Sequence, residues 1–187
     1  MGECVRVKLT MRPAIFFDRD GVLILPIKLK GKGYAPRSLE DFTYYEDAVE
    51  SLLKTHEAGF LNIVVSNQPD ISTGLLSEVV LEEMNSKMLQ DFILDEVNNC
   101  PHNSEDNCVC RKPKPGMIQS SADRLGIDLS KSWIVGDRDG DIKAGSIVGL
   151  RTVFINRNWT DESGSLAEFK CQTLTEAVGL ILRHSNL

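Results

Sequence analysis

The stretch Ala14-Ile15-Phe16-Phe17-Asp18-Arg19-Asp20-Gly21-Val22 is an apolar run that stops at two carboxylates one residue apart. A short continuous apolar run bounded by turn residues is the pattern of a strand buried on both faces. Side chains alternate across a strand, so Asp18 and Asp20 point the same way if the chain stays extended, and Gly21 lets the backbone turn sharply just beyond them. Two like charges that close need a cation between them, or one must hold a proton. On these residues alone two readings stand: an ordinary acidic strand-to-loop turn, or a strand that delivers acid chemistry at its end. The rest of the chain has to decide.

Outward from this first strand, Ala14 to Asp18, the preceding residues 1–12 carry mixed charge and no clear period, a lead-in or a short edge strand. The polar, glycine-containing segment Pro26 to Pro36 follows the acidic pair and reads as a flap or hairpin over it, or equally as a solvated loop. From Glu46 to Ala58 the residues Ala48, Val49, Leu52 and Leu53 fall at helical spacing, with Gly59 as a stop. Phe60 to Val65 is the second strand, and it hands off to Ser66-Asn67-Gln68-Pro69. Leu76 to Phe92 reads as a helix with Val79, Val80, Met84, Met88 and Leu89 as its buried stripe.

A third strand is expected within Leu94 to Val97, followed by a compact cysteine and histidine loop. Pro115 opens a helix that runs to Leu125 and stops at Gly126. Ser132 to Gly136 is another apolar strand, ended by Asp137. A short helix from Asp141 to Val148 and a strand from Arg151 to Ile155 come next. Thr173-Leu174-Thr175-Glu176 is a capping box for a last helix through Arg183.

Strands and helices therefore alternate along the chain, which predicts an α/β fold with a doubly wound, mostly parallel sheet. Ligands bind such sheets beyond the carboxyl ends of the strands, where the strand order reverses. Three predicted strands end there in polar groups: Asp18 with Asp20, Ser66 with Asn67, and Asp137 with Asp141. With 187 residues, 42% of them hydrophobic, the chain suits one domain across residues 1–187 with a core of its own. A net charge of −6 argues against nucleic acid as a partner. No apolar run approaches the roughly 18 residues of a membrane span, and no signal peptide is evident, so the expectation is a cytoplasmic monomer that does not engage membranes.

Three carboxylates from two strand ends suit a hard divalent cation such as magnesium better than zinc. Ser66 and Lys112 offer a hydroxyl and a compact positive charge to the oxygens of a phosphoryl group. Asp18 is then free to attack phosphorus, and Asp20 can move the proton. In the loop, Cys100-Pro101-His102 and Cys108-Val109-Cys110 supply three thiolates and one imidazole, a closed tetrahedral set for structural zinc, with a redox thiol pair as the alternative. His56, His184, Cys4 and Cys171 are expected to be inert.

Asp18-Arg19-Asp20-Gly21-Val22, Ser66-Asn67-Gln68, Arg111-Lys112-Pro113-Lys114-Pro115-Gly116-Met117 and Gly136-Asp137-Arg138-Asp139-Gly140-Asp141 resemble, in order and spacing, the four motifs of the haloacid-dehalogenase-like (HAD-like) phosphatases. More narrowly they resemble the branch acting on heptose bisphosphates and histidinol phosphate. The similarity runs from about Ile15 to Ile155. It implies a Rossmann-like HAD fold, with Asp18 as nucleophile and Asp20 as general acid/base. It also implies magnesium held by Asp18, the Asp20 carbonyl and Asp137. Ser66, Lys112, Asn67, Arg111 and Arg138 would bind phosphate or substrate. No segment is long enough for a large cap domain, so the zinc loop, about residues 100–110, and the Lys28 to Tyr34 segment would wall the site.

The implied reaction is hydrolysis of a phosphomonoester on a small phosphorylated sugar, the C7 phosphate of D-glycero-D-manno-heptose 1,7-bisphosphate in nucleotide-heptose synthesis. Histidinol phosphate is the alternative substrate. A polynucleotide end and a catalytically silent binding protein are further readings. Pro69-Asp70-Ile71-Ser72-Thr73-Gly74 departs from the heptose pattern, with Thr73 where those enzymes more often carry arginine.

Overall fold

A computed structural model describes residues 11–29, 32–157, 164 and 166–185. Its elements in chain order are β1 (Ala14–Phe17), β2 (Ile27–Leu29), β3 (Lys32–Tyr34), α1 (Ala48–Glu57), β4 (Leu61–Asn67), α2 (Glu78–Asp91) and β5 (Glu96–Cys100). There follow α3 (Gly116–Leu125), a 3₁₀ turn (Leu129–Lys131), β6 (Trp133–Gly136), α4 (Asp139–Ile147), β7 (Arg151–Ile155), β8 (Phe169–Cys171) and α5 (Leu174–His184). Strands β5-β4-β1-β6-β7-β8 form a six-stranded sheet in that order, and every pairing is parallel. β2 and β3 form a separate antiparallel hairpin.

The strand order explains where a ligand can bind. From β1 the chain moves outward through β4 to β5, then returns to the other side of β1 and moves outward through β6, β7 and β8. Loops at the carboxyl ends of β1 and its neighbours therefore diverge, which opens a crevice there.

All four residues of β1 are fully buried, as the continuous apolar run requires. Ile15 and Phe17 pack on one face with Leu52, Met84, Met88, Leu174, Val178 and Ile181 from α1, α2 and α5. Ala14 and Phe16 pack on the other with Met117, Ile118 and Ala122 of α3 and Ala144 of α4. One strand thus feeds two cores, because its side chains alternate. Among the described residues, no helix is long and apolar enough to cross a membrane.

Several expectations need correction. In α2 the buried face is Leu81, Met84 and Met88, whereas Val79 and Leu89 are 64% and 49% exposed. At 100° per residue, positions 81, 84 and 88 share a stripe that 79 and 89 miss. In α1 the buried residues are Ala48, Ser51, Leu52 and Thr55, with Val49 and Leu53 exposed. Thr55 is admitted because a polar partner waits below: its Oγ1 donates to the fully buried Asn62 Oδ1 at 2.7 Å. Asn62 in turn donates to the carbonyls of Leu52 and Ile93.

Strand β5 lies further along than expected, and α4 begins two residues earlier than expected, at Asp139. β8 was not anticipated, since its Phe169-Lys170-Cys171 is too short to show a period. α3 ends as expected, with Gly126 in the left-handed conformation at φ 64°. The last helix is capped by Thr173, whose Oγ1 accepts from the Glu176 N–H at 3.1 Å. Of the lead-in, residues 1–10 and with them Cys4 lie outside the described residues.

Candidate active site

The apolar run of β1 delivers Asp18 to the carboxyl edge of the sheet, where its N–H donates to the Val135 carbonyl of β6 at 2.9 Å. The next residues leave the sheet in a tight loop with Gly21 at φ 97°. A Cβ at Gly21 would lie 2.2 Å from Asp137 Oδ2, so this position also needs glycine for space. β1 and β6 thereby bring Asp18 and Asp137 together from positions far apart in sequence.

Lys112 arrives from the segment between β5 and α3 and is buried at the centre of the group. Its Nζ lies 2.7 Å from Asp18 Oδ1, 2.6 Å from Asp141 Oδ1 and 2.6 Å from the Val65 carbonyl. An ammonium carries three hydrogens, and these are its three partners. Burial alone would lower the lysine's pKa, but Asp141 and Asp18 outweigh it and hold it above the ordinary value. Lys112 is therefore a fixed positive charge.

The carboxylates differ in their partners. Asp141 is fully engaged: Oδ1 takes Lys112, and Oδ2 accepts from the Arg138 N–H at 3.0 Å, as the third residue of α4 closing back on its cap. Burial first, against the opposing pull of Lys112, raises its pKa to about 6. Asp137 has neither carboxylate oxygen hydrogen-bonded although both are buried. Burial, then the charges of Asp18 and Asp141, hold its pKa well above the carboxylate range.

One oxygen from each of Asp18, Asp137 and Asp141 lies within 4.8 Å of the others. Both Asp141 oxygens are already bonded, so Asp18 and Asp137 are the carboxylates left to meet a cation, and the buried Asp137 carboxylate without a hydrogen bond fits the magnesium that the motifs imply. The Asp20 carboxylate is not in this group. Arg19 Nε donates to both of its oxygens at 3.1 Å, and Gln68 Nε2 donates to Oδ2 at 2.6 Å. Burial raises its pKa against the pull of Arg19, which favours a carboxyl that can carry a proton.

Above these groups is a cleft of about 360 Å³ lined by Asp18, Asp20, Ser66, Lys112 and Asp137, with Asn67, Arg111 and Arg138 also on its wall. The structure thus collects every predicted residue of the cleft in one place, but it engages some of them differently. Asn67 forms a two-way amide bracket with Lys112, Nδ2 donating to its carbonyl and Oδ1 accepting from its N–H, both at 3.0 Å. That positions the lysine. Arg138 reaches the hairpin, with Nη2 3.5 Å from the Gly33 carbonyl.

The Pro26 to Pro36 segment is a hairpin whose Gly33 and Tyr34 line the cleft, so the reading as a bare solvated loop falls. An Arg37 to Asp70 ion pair of 2.7 Å ties the segment after it to the loop after β4. Gln68 and Arg19 are the site residues that sequence reading missed. Gln68 lies two residues beyond Ser66, and that strand spacing was the available signal.

Beside the cleft, Cys100, His102, Cys108 and Cys110 offer one ligand atom each within 4.8 Å of one another. Cys100 Sγ is 3.6 Å from Cys108 Sγ and 3.1 Å from Cys110 Sγ, and His102 Nδ1 is 3.3 Å from Cys110 Sγ. Bonds of roughly 2.3 Å to a tetrahedral ion set sulfurs about 3.8 Å apart, so the four groups fit a metal with little adjustment. Among the described residues, Cys100, Cys108, Cys110 and Cys171 form no disulfide, and His56 and His184 are exposed. Arg111 Nη1 donates to the His102 carbonyl at 3.0 Å, and Lys114 Nζ to the Cys108 carbonyl at 2.7 Å. These bonds couple the loop to the segment that carries Lys112.

Residues 109–176 match the HAD-hydrolase-like family model. The D-glycero-beta-D-manno-heptose-1,7-bisphosphate 7-phosphatase of Pseudomonas aeruginosa is 33% identical over 150 residues, covering 77% of this chain and 81% of that protein. The chain belongs to the HAD-like phosphatase family. The histidine biosynthesis bifunctional protein HisB of Legionella pneumophila is 32% identical over 81% of this chain, which spans only 44% of HisB. Among solved structures, the D,D-heptose 1,7-bisphosphate phosphatase of B. bronchiseptica, complexed with magnesium and phosphate, superposes with a TM-score of 0.77 at 23% identity, covering 92% of this chain and 99% of that one.

Proposed function

We propose that residues 1–187 act as one HAD-like phosphatase domain, a magnesium-dependent phosphomonoesterase that removes the C7 phosphate of D-glycero-D-manno-heptose 1,7-bisphosphate. The observation that carries the reading is the buried lysine held between Asp18 and Asp141 beside the buried Asp137 carboxylate, which accepts no hydrogen bond. It supports a site built to receive a cation and a phosphoryl group together. The heptose substrate is supported by relatives that carry that name over most of both chains.

In this reading Asp18, which bonds Lys112 through Oδ1 alone, attacks phosphorus with a carboxylate oxygen as the P–O bond to the sugar breaks. Asp20 gives its proton to the departing sugar oxygen. The same carboxylate then takes a proton from water, whose oxygen attacks the aspartyl-phosphate and returns Asp18 and inorganic phosphate. Lys112, the Ser66 hydroxyl and Arg111 offset the charge of the phosphoryl oxygens. Magnesium, held by Asp18, Asp137 and the Asp20 carbonyl, would supply further neutralisation of that charge when bound. Zinc on Cys100, His102, Cys108 and Cys110 would be structural, since four protein ligands leave no open position.

The chain would work as a monomer in the cytoplasm, where thiols stay reduced, with the cleft open to a small sugar phosphate. Phosphate release from heptose bisphosphate anomers, histidinol phosphate and a 3′-phosphorylated oligonucleotide tests the substrate. The heptose bisphosphate is expected to give the highest kcat/KM. Preference for histidinol phosphate would move the chain to the other branch. Turnover of none of these esters with magnesium present would leave a silent binding protein.

A further inference from the structure

Gln68 lies just past β4, two residues beyond Ser66, and its side chain is fully buried. Its Nε2 is 2.6 Å from Asp20 Oδ2 and 2.8 Å from Ser66 Oγ. In its ionised state, which the Arg19 donor on both oxygens matches, Asp20 only accepts hydrogen bonds, so the end of the amide that meets it is then the nitrogen; the flipped amide would press oxygen against oxygen. The two amide hydrogens are then committed, one to Asp20 and one to Ser66. The backbone cannot drift either, because the Gln68 N–H donates to the Cys100 carbonyl at 2.7 Å.

Two consequences follow for groups that face the cleft. Ser66 Oγ already receives a hydrogen, so its own hydrogen is left to donate, and the cleft is the side where an acceptor arrives. Asp20 is gripped from both sides, by Gln68 on Oδ2 and by Arg19 Nε on both oxygens, which removes the rotation that would swing its carboxyl away from a leaving group. We propose that Gln68 is a positioning residue: one amide nitrogen sets Asp20 for proton transfer to the leaving oxygen and turns the Ser66 hydroxyl toward the phosphoryl group. The proposal rests on the phosphatase reading above.

The test compares leaving groups in Gln68→Met, which keeps the length and removes the donor, and in Gln68→Glu, which keeps the shape and presents a second acceptor. The value of kcat/KM reports steps up to departure of the leaving group. A sugar phosphate needs its leaving oxygen protonated, whereas the acetate of acetyl phosphate leaves without a proton. Both substrates use Ser66, but only the first needs Asp20 as an acid.

For the sugar phosphate that the wild type hydrolyses best, kcat/KM should fall about 10²-fold, and for acetyl phosphate about tenfold or less. Equal losses on the two substrates, or no loss, in a variant that melts like the wild type would overturn the proposal and leave the phosphatase reading standing. If Gln68→Met does not fold, the isosteric Gln68→Glu gives the same comparison. A wild-type chain that hydrolyses neither substrate overturns the phosphatase reading and this proposal with it.

Discussion

Among the described residues, two clusters of potential metal ligands are built on opposite terms. Asp18, Asp137 and Asp141 come from separate strand ends and helix α4 and are brought together by the sheet. Cys100 ends β5 and is fully buried, while His102, Cys108 and Cys110 come from the one loop that follows it. In the acidic cluster the fold holds like charges in place, offset by Lys112, with Asp137 accepting no hydrogen bond and meeting Arg138 Nε at 3.9 Å. The sulfur cluster is the reverse case, neighbours in sequence that sit at the edge of the core formed by α3, with Cys108 and Cys110 packed against it. In the proposed function the first cluster costs stability and serves chemistry and the second serves stability, and the two are joined by the bonds of Arg111, Lys114 and the Gln68 N–H to the carbonyls of His102, Cys108 and Cys100.

The sharpest way to break that contrast is Asp18→Asn, which is nearly isosteric and is not a comparable nucleophile. Turnover should fall on the order of 10⁴-fold or more, with the melting temperature little changed because Lys112 keeps Asp141 and the Val65 carbonyl. Appreciable phosphate release by the freshly purified variant would remove Asp18 from its role. Next in size is Cys108→Ser. Metal analysis should find about one zinc per chain in the wild type and far less in the variant, with stability lower by about 3 kcal/mol or more in chemical denaturation. A zinc-free wild type with an ordered, active loop would erase the distinction between the clusters.

A third measurement concerns Asp137 in magnesium-free buffer. Its folded pKa is raised well above the ordinary value by burial and by Asp18 and Asp141. The folded state therefore binds a proton that the unfolded chain releases, so stability from this group is present at low pH and lost as pH rises toward the folded pKa. Asp137→Asn should accordingly raise the melting temperature near neutral pH by at least about 2 °C, and the added stability from magnesium should disappear. A lower melting temperature would mean that the cluster is not strained by its own charge. The smallest effect is expected at the exposed Leu89, where Leu89→Ala should stay within about 0.5 kcal/mol of wild type. Met84→Ala, in the core, should cost about 2–5 kcal/mol. Equal costs at the two positions would return Leu89 to the buried stripe that the sequence suggested.

How well each part could be read from the chain follows from the distance over which it is encoded. The Cys/His loop and the apolar run into Asp18 are local patterns, and both appeared where expected. Helix faces were read less well, because Ser51 and Thr55 replace apolar residues where the buried Asn62 amide can bond Thr55. β8 escaped notice because three residues carry no period. Within the cleft, the Asn67 amide is bonded on both sides to the backbone of Lys112, 45 positions away. No local pattern encodes that partnership.

The sequence by itself determined that strands alternate with helices, that several strands end in carboxylates or hydroxyls, and that a compact loop carries three thiols and an imidazole. Periodicity and spacing are properties of neighbouring residues, so they survive without coordinates. The tertiary structure alone decided that Lys112 sits between Asp18 and Asp141, that Asp137 is left without a hydrogen bond, and that Gln68 joins Asp20 to Ser66. Those relations depend on the order β5-β4-β1-β6 and on the register that aligns Phe17 with Val64 and Val135. Strand pairing fixes which ends meet, and only then does the acidic stretch after Phe17 acquire partners.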